Sequence, residues 1–264
     1  MSVVQSRSRR RVARRCWATP AIAVIIGLVG ACHGDSPSTT VPTADIGGTW
    51  ERYPEDWFGE DPDHPPPPGG AFDLKEPYAS AYQALQEKKA AADAAGAPIV
   101  NASTRCLPEG MPTIMAAIYP IQILQNPGQV TVLAEFLTQT RRIRLDEQMP
   151  PLDELSPSYN GYSVGHWQGD TLVVETTGIR TDALFFDVPH TEQMRITERI
   201  RRTAPDKLEN AVVIEDPQIL NQPYRFTFEY KQSSYKIMEY NCDDNQIVVD
   251  DEGKTHLKLE SAEH

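Results

Sequence analysis

The sequence predicts a mainly β protein: an antiparallel β-barrel of about eight to ten strands with one N-terminal helix. Three observations predict it. From Ile121 onward, short runs of β-branched and aromatic residues alternate with polar ones, separated by turn residues. A hairpin stands mid-chain, where Gln168-Gly169-Asp170 separates two strand-forming runs. Helical punctuation occurs at one place, between Pro77 and Gly96. Closing such a sheet on itself removes its edges; a two-sheet sandwich is the alternative. A barrel of this size leaves room for one small ligand.

Residues 1–31 read as an export signal. Arg7, Arg9, Arg10, Arg11, Arg14 and Arg15 form a basic segment, and 21–31 is apolar with small residues at its end. Leu28-Val29-Gly30-Ala31-Cys32 resembles the lipobox of bacterial lipoproteins, which makes Cys32 the lipidated first residue of the mature chain. An ordinary secretory cleavage near Ala31 is the alternative, and the export route stays open between the general and twin-arginine systems. The Ser-, Thr- and Pro-rich stretch 32–44 is a flexible tether, and 45–264 is one β-barrel domain. The expected location is the cell envelope, in the periplasm and anchored to the outer membrane.

Of 25 Lys and Arg, 6 precede Cys32; the remaining 19 face 37 Asp and Glu, so the mature chain carries a net charge near −18. Such a chain repels nucleic acid and anionic lipid, so membrane attachment rests on acyl chains. Cys16 leaves with the signal and Cys32 takes lipid, which leaves Cys106 and Cys242 as an even pair in an oxidising compartment. They are expected to form a disulfide, worth roughly 4–5 kcal/mol through loop-closure entropy. Two separate buried thiols are the alternative. Neither Cys has a nearby ligand partner, so no metal is expected.

Taken in order, Gly48-Thr49-Trp50 opens the fold; a Gly-x-Trp here resembles the first strand of lipocalin-like barrels, whose Trp plugs the closed end. Residues 54–70 are surface coil with four prolines, and His64 beside Asp61 and Asp63 belongs to that acidic loop. The helix over 77–95 carries Tyr78, Ala81, Tyr82, Leu85 and Ala92 near one face and packs on a sheet or over a barrel end. Strands follow at 121–125 and 129–137 around Asn126-Pro127-Gly128, then at 141–145, where Ile143 and Leu145 alternate with Arg142 and Arg144. After the polar loop 146–158 come the central hairpin and a loop over 179–191. Residues 194–202 and 207–215 form the next pair. Residues 223–232 place Tyr224, Phe226, Phe228 and Tyr230 on one face; 234–242 reads as the last long strand, and 247–250 with 255–259 as a short ribbon.

Strand parity singles out carboxylates. Glu198 shares a face with Met194, Ile196 and Ile200; Glu175 shares parity with Val173 and Thr177; Glu135 lies between Leu133 and Leu137. A lone buried carboxylate costs several kcal/mol, so partners are required. Arg142, Arg144 and Arg199 are the cations within reach, and His166 and His190 the imidazoles. As a catalytic set, His190 acts as general base or acid, Glu198 orients it, and Arg142 holds an anion or enolate, without a cofactor. That set suits a lyase, isomerase or dehydratase. The alternative is a structural Arg–Glu pair and a loop His bonded to backbone. The aromatic face Tyr224, Phe226, Phe228 and Tyr230, with Glu175 and His166, either lines a cavity for a small apolar or aromatic ligand or belongs to the core.

Cys106-Leu107-Pro108-x-Gly110-Met111-Pro112, the run from Gly165 to Val174, Pro189-His190, Glu198-Arg199, Glu215-Asp216-Pro217 and Glu239-Tyr240-x-Cys242 resemble a family of exported bacterial lipocalin-like barrels. The resemblance covers about 48–245 and implies a calycin-type fold, an envelope location and the same Cys pair. It supplies no reaction. This chain departs from it at Gln168, where the family has Glu, at Glu175, where it has Asp, and at 146–150, where a family His is missing. The leading expectation is a lipid-anchored barrel that binds or carries a small, largely apolar molecule. A cofactor-free acid–base enzyme and a structural envelope protein are the alternatives. A Glu198→Gln change is expected to alter ligand handling more than stability. Oligomeric state stays open.

Overall fold

The computed structural model describes residues 44–54, 72–99 and 102–242, and the backbone of 247–249 and 255–257. The expectations for the signal, the lipobox at Cys32, the tether up to residue 43 and the His64 loop lie outside the described residues.

Nine strands close into a barrel in sequence order. They are β1 (Gly48–Arg52), β2 (Ile121–Asn126), β3 (Gln129–Ala134), β4 (Gln139–Leu145), β5 (Tyr162–Gln168), β6 (Thr171–Thr177), β7 (Arg195–Ala204), β8 (Lys207–Glu215) and β9 (Tyr224–Ser233). Short β1 closes the ring by pairing with β2 on one side and β9 on the other. Among the described residues one α-helix, α1 (Tyr78–Ala94), precedes the main run of strands, and a two-stranded ribbon, β10 (Ile247–Val249) with β11 (Thr255–Leu257), follows it.

The barrel departs from the expected uniform antiparallel order at one joint: β4 and β5 pair in parallel, Ile143 opposite Ser163. Parallel neighbours need a connection of about a dozen residues or more. The connection 146–161, most of it read from sequence as the loop 146–158, is that crossover; Asp146 turns out of β4 with φ 59°.

The expected last strand at 234–242 does not form. Both edges of β9 are occupied, by β8 and by β1, so no ladder is left for it to join. Glu135 holds this segment instead, accepting from the Tyr235 hydroxyl and the Met238 amide, each at 3.0 Å. Glu135 is therefore not an inward strand residue: β3 ends at Ala134. Cys106 and Cys242 are joined by a disulfide, their Cα atoms 5.7 Å apart.

Two ends of the barrel are plugged differently. At one, Trp50 is fully buried, its indole donates to the Ile46 carbonyl at 3.0 Å, and the Arg202 guanidinium lies 4.9 Å from its ring centre. At the other, the turn Thr113–Ala116 and the loop after β6 fold inward. Helix α1 packs over that loop with Tyr78, Tyr82, Leu85 and Ala92 half-buried; Ala81, expected on the same stripe, is exposed.

Between the plugs the interior is filled. Ile121, Val132, Ile143, Leu172, Val174, Ile196, Leu208 and Phe228 are 1% exposed or less. Gly165 on β5 belongs to this packing, since a Cβ there would meet Ile143 at 2.9 Å and Leu172 at 3.3 Å. Gly165→Ala is expected to destabilise by about 1–3 kcal/mol through overpacking, measured by urea unfolding; an unchanged midpoint would show slack at this layer.

Candidate functional site

Glu198 lies on β7 between Val174 of β6 and Val212 of β8, and it is 0% exposed. Its partner is Arg141, itself 1% exposed, which grips both carboxylate oxygens: Nη1 donates to Oε1 at 3.1 Å and Nη2 to Oε2. Asn210 of β8 donates to Oε1 at 2.9 Å. Ser163 accepts from Arg141 Nε at 3.3 Å and Thr176 from Nη2 at 3.0 Å, and the two hydroxyls bond to each other at 2.8 Å. Five strands thus converge on one buried network of zero net charge. Such a pair is tolerable in a low-dielectric interior because nearly every donor and lone pair has a partner.

The cation beside Glu198 is Arg141, not Arg142. Arg142 is exposed on the outer face of β4. The signal was present in the sequence: Arg141 shares parity with Ile143, whereas Arg142 does not. Tyr230 closes the network from below, donating to the Met115 carbonyl at 2.6 Å. Burial, and then the nearby Glu198 charge, push its phenol well above the usual range.

His190 does not join this network. Its Nε2 donates to the Ala183 carbonyl at 3.0 Å and its Nδ1 lies 3.2 Å from the Thr191 carbonyl. Asp216, from the Glu215-Asp216-Pro217 string, accepts from the Thr191 amide at 2.6 Å and hydroxyl at 3.1 Å. These bonds shape the loop between β6 and β7. Glu175 faces outward and pairs with Arg195 at 3.2 Å, both about half exposed, and exposed His166 bonds to Gln168 at 2.9 Å. The expected triad of His190, Glu198 and Arg142 is therefore spread over a loop, the interior and the outer surface.

The aromatic face divides in two. Phe228 and Tyr230 are 1% exposed and belong to the core, whereas Tyr224 and Phe226, at 8% and 9%, line the end beneath the β6–β7 loop. Phe185 from that loop stacks on Phe226, centroids 5.2 Å apart and planes 23° apart. Phe72 lies 4.1 Å from Tyr224 and edge-on to Phe185. The Tyr224 hydroxyl is buried without a hydrogen-bond partner, and burial pushes its pKa up to about 12. Sequence reasoning found Tyr224 and Phe226 through parity; it missed Phe185, which no strand period marks.

The loop carrying Phe185 is held under local strain. Phe186 and Asp187 both have left-handed backbones, φ 51° and 63°, an arrangement that costs non-glycine residues energy. Asp187 is latched to helix α1 by Lys89 at 2.6 Å and Gln86 at 3.3 Å. Lys89 and Asp187 are each about 30% exposed, so this pair contributes about 1 kcal/mol at most.

Sequence comparison finds no matching protein family and no matching curated protein. Among solved structures, the chain is similar to the fluorescent protein UnaG. The wild-type structure aligns at 17% identity over 43% of this chain and 72% of that chain, with a TM-score of 0.24. A variant of it aligns at 17% identity over 44% of this chain and 72% of that chain, with a TM-score of 0.26. At these scores the barrel assignment rests on the strand pairing itself, which closes from β1 through β9.

Proposed function

We propose that this chain is a lipid-anchored cell-envelope barrel that binds one small, flat, largely apolar molecule at its aromatic end. The observation that carries the reading is Phe185: a ring supplied by a strained loop stacks on Phe226, beside a buried Tyr224 hydroxyl that lacks a partner. Along the barrel wall the inner face is made of strand side chains, which leave only if the sheet unravels. At this end the plug is a loop residue, and loops move.

Magnitudes decide what kind of ligand fits. One aromatic ring buries about 150–250 Å², so a ligand that displaces Phe185 regains roughly the contact it removes. A net gain must come from the Tyr224 hydroxyl, whose pairing is worth about 1–3 kcal/mol, and from relief of the loop strain. The ligand is accordingly a fused or extended aromatic with one hydrogen-bonding atom.

A fluorescence titration with 2-naphthol tests this. Phe185→Ala is expected to bind about tenfold tighter than the parent, and Tyr224→Phe about fivefold weaker. If neither the parent nor Phe185→Ala bound 2-naphthol while both kept their melting transitions, the barrel would be a filled structural element.

The envelope location rests on the basic and apolar N-terminal segments, the Leu28–Cys32 string, and a Cys pair suited to an oxidising compartment. Cys32→Ser is expected to abolish incorporation of a labelled fatty acid and to move the protein from the membrane fraction to the soluble one. Unchanged fractionation and labelling would remove the lipid anchor from the proposal.

A further inference from the structure

One side of the barrel's outer wall is cationic. Strands β4 to β7 point five arginines outward, Arg142, Arg144, Arg195, Arg199 and Arg201, against one outward carboxylate, Glu175. The chain as a whole runs the other way, with 37 Asp and Glu against 25 Lys and Arg. The strand register sets these residues in adjoining rows. Arg144, Val164, Glu175 and Thr197 are successive partners across the four strands, and Val173 lies between His166 and Arg199. Four neighbouring strands span about 14 Å, so the five guanidiniums share one face. Arg195 pairs with Glu175 at 3.2 Å, and Arg201 with Glu209 of β8 at 3.1 Å. Arg142, Arg144 and Arg199 make no ion pair among the described residues. Arg142 is exposed, the Arg144 guanidinium lies 3.9 Å from the Tyr162 ring centre, and Arg199 donates to the neutral Gln168 side chain at 3.2 Å. Glu147 stands at the edge of this face, where it accepts from the Tyr162 hydroxyl at 3.2 Å.

Three arginines without carboxylates, in a chain rich in carboxylates, point to an anion from outside the chain. We propose that this wall docks on an anionic bilayer surface, with Arg142, Arg144 and Arg199 bound to lipid phosphates. The shape of the face favours a bilayer over an acidic protein. A barrel wall is convex, so it offers no groove to seat a peptide. A bilayer presents a plane of mobile phosphates, and each can accept two parallel N–H bonds from a guanidinium wherever that group stands. Val164, Val173 and Thr197 between the arginines are short, so the long side chains reach furthest from the wall. Tyr162 adds an apolar ring with a polar tip, which suits the headgroup level. Averaged over the chain, the negative charge weighs against anionic lipid. Solvent screens charge over about 8–10 Å at ordinary ionic strength, so the local face decides a docking contact. Docking here rests on the proposed envelope location only for the bilayer itself, and it is independent of the aromatic end.

Co-sedimentation of the full chain with vesicles tests this docking. Every chain compared carries Cys32→Ser, so acyl chains play no part and failure of the lipid-anchor reading leaves the result unaffected. Vesicles of phosphatidylcholine and phosphatidylglycerol in equal parts are expected to bind the parent at least about a hundredfold tighter than phosphatidylcholine alone. Each arginine is worth about fivefold at such a surface, so the triple variant Arg142→Gln, Arg144→Gln, Arg199→Gln should lose about a hundredfold. Salt at about 1 M shortens the screening length to about 3 Å and should remove the preference. A second triple variant, Lys88→Gln, Arg105→Gln, Lys236→Gln, makes the same change in net charge away from this wall and should bind as the parent does. Urea unfolding checks that both variants fold. Should the wall variant unfold early, Arg142→Gln alone is expected to lose about fivefold. A parent without preference for the anionic vesicles, a folded wall variant that binds like the parent, or equal losses in the two triple variants would overturn the proposal. So would binding of an oligoglutamate peptide through the same three arginines without vesicle binding, which would make this wall a protein-docking face.

Discussion

Glu198→Gln is expected to lower unfolding free energy by about 3–5 kcal/mol, the largest effect of any single substitution considered for this protein. Arg141 keeps its charge in the variant but loses its counter-ion. Val174 and Val212 flank the site and both partners are 0–1% exposed, so bulk solvent reaches the orphaned guanidinium only if the barrel wall opens. The remaining partners, Ser163 and Thr176, are neutral. Removing both charges together is a different experiment. Arg141→Met with Glu198→Leu replaces the pair by apolar groups of similar size, and it should regain most of the loss. Urea unfolding of the two single variants and the double one forms a cycle that reads the coupling directly. A single-variant loss below about 1 kcal/mol would mean that the interior admits water. The ordering expected from sequence, with ligand handling affected more than stability, is reversed by this geometry.

Removing the disulfide is expected to have an effect of similar size. Cys106 and Cys242 are 136 residues apart in sequence. By the chain-entropy relation, a loop of that length contributes about 5 kcal/mol through the unfolded chain. The crosslink also fixes the segment that Glu135 holds against the end of β3. The double variant Cys106→Ser, Cys242→Ser should therefore unfold at a clearly lower urea concentration, and reductant should shift the parent but not the variant. Domains of this kind have about 5–15 kcal/mol in total, so either loss takes a large share of it. Coincident unfolding curves for the parent with and without reductant would show that the bond adds nothing to stability.

Much of the architecture was legible residue by residue. The Asn126-Pro127-Gly128 and Gln168-Gly169-Asp170 turns, the alternating runs and the helix between Pro77 and Gly96 are local signals, set by backbone preference within a few residues. Inward placement of Glu198, Tyr224, Phe226, Phe228 and Tyr230 followed from period two. Pairing was less accessible. Whether 146–161 is a surface loop or a parallel crossover depends on which strand lies next to β4, and no local preference encodes that. The segment 234–242 alternates like a strand, yet stays outside the sheet because β1 already occupies the edge of β9.

The sequence by itself determined a β-rich chain whose inner face must carry a charge, because side-chain alternation is a property of each strand alone. Only the tertiary structure decided that Arg141 neutralises that charge, that His190 shapes a loop instead of meeting Glu198, and that Phe185 fills the aromatic end. Those outcomes depend on contacts between residues far apart in the chain, and such contacts exist only once the barrel has closed.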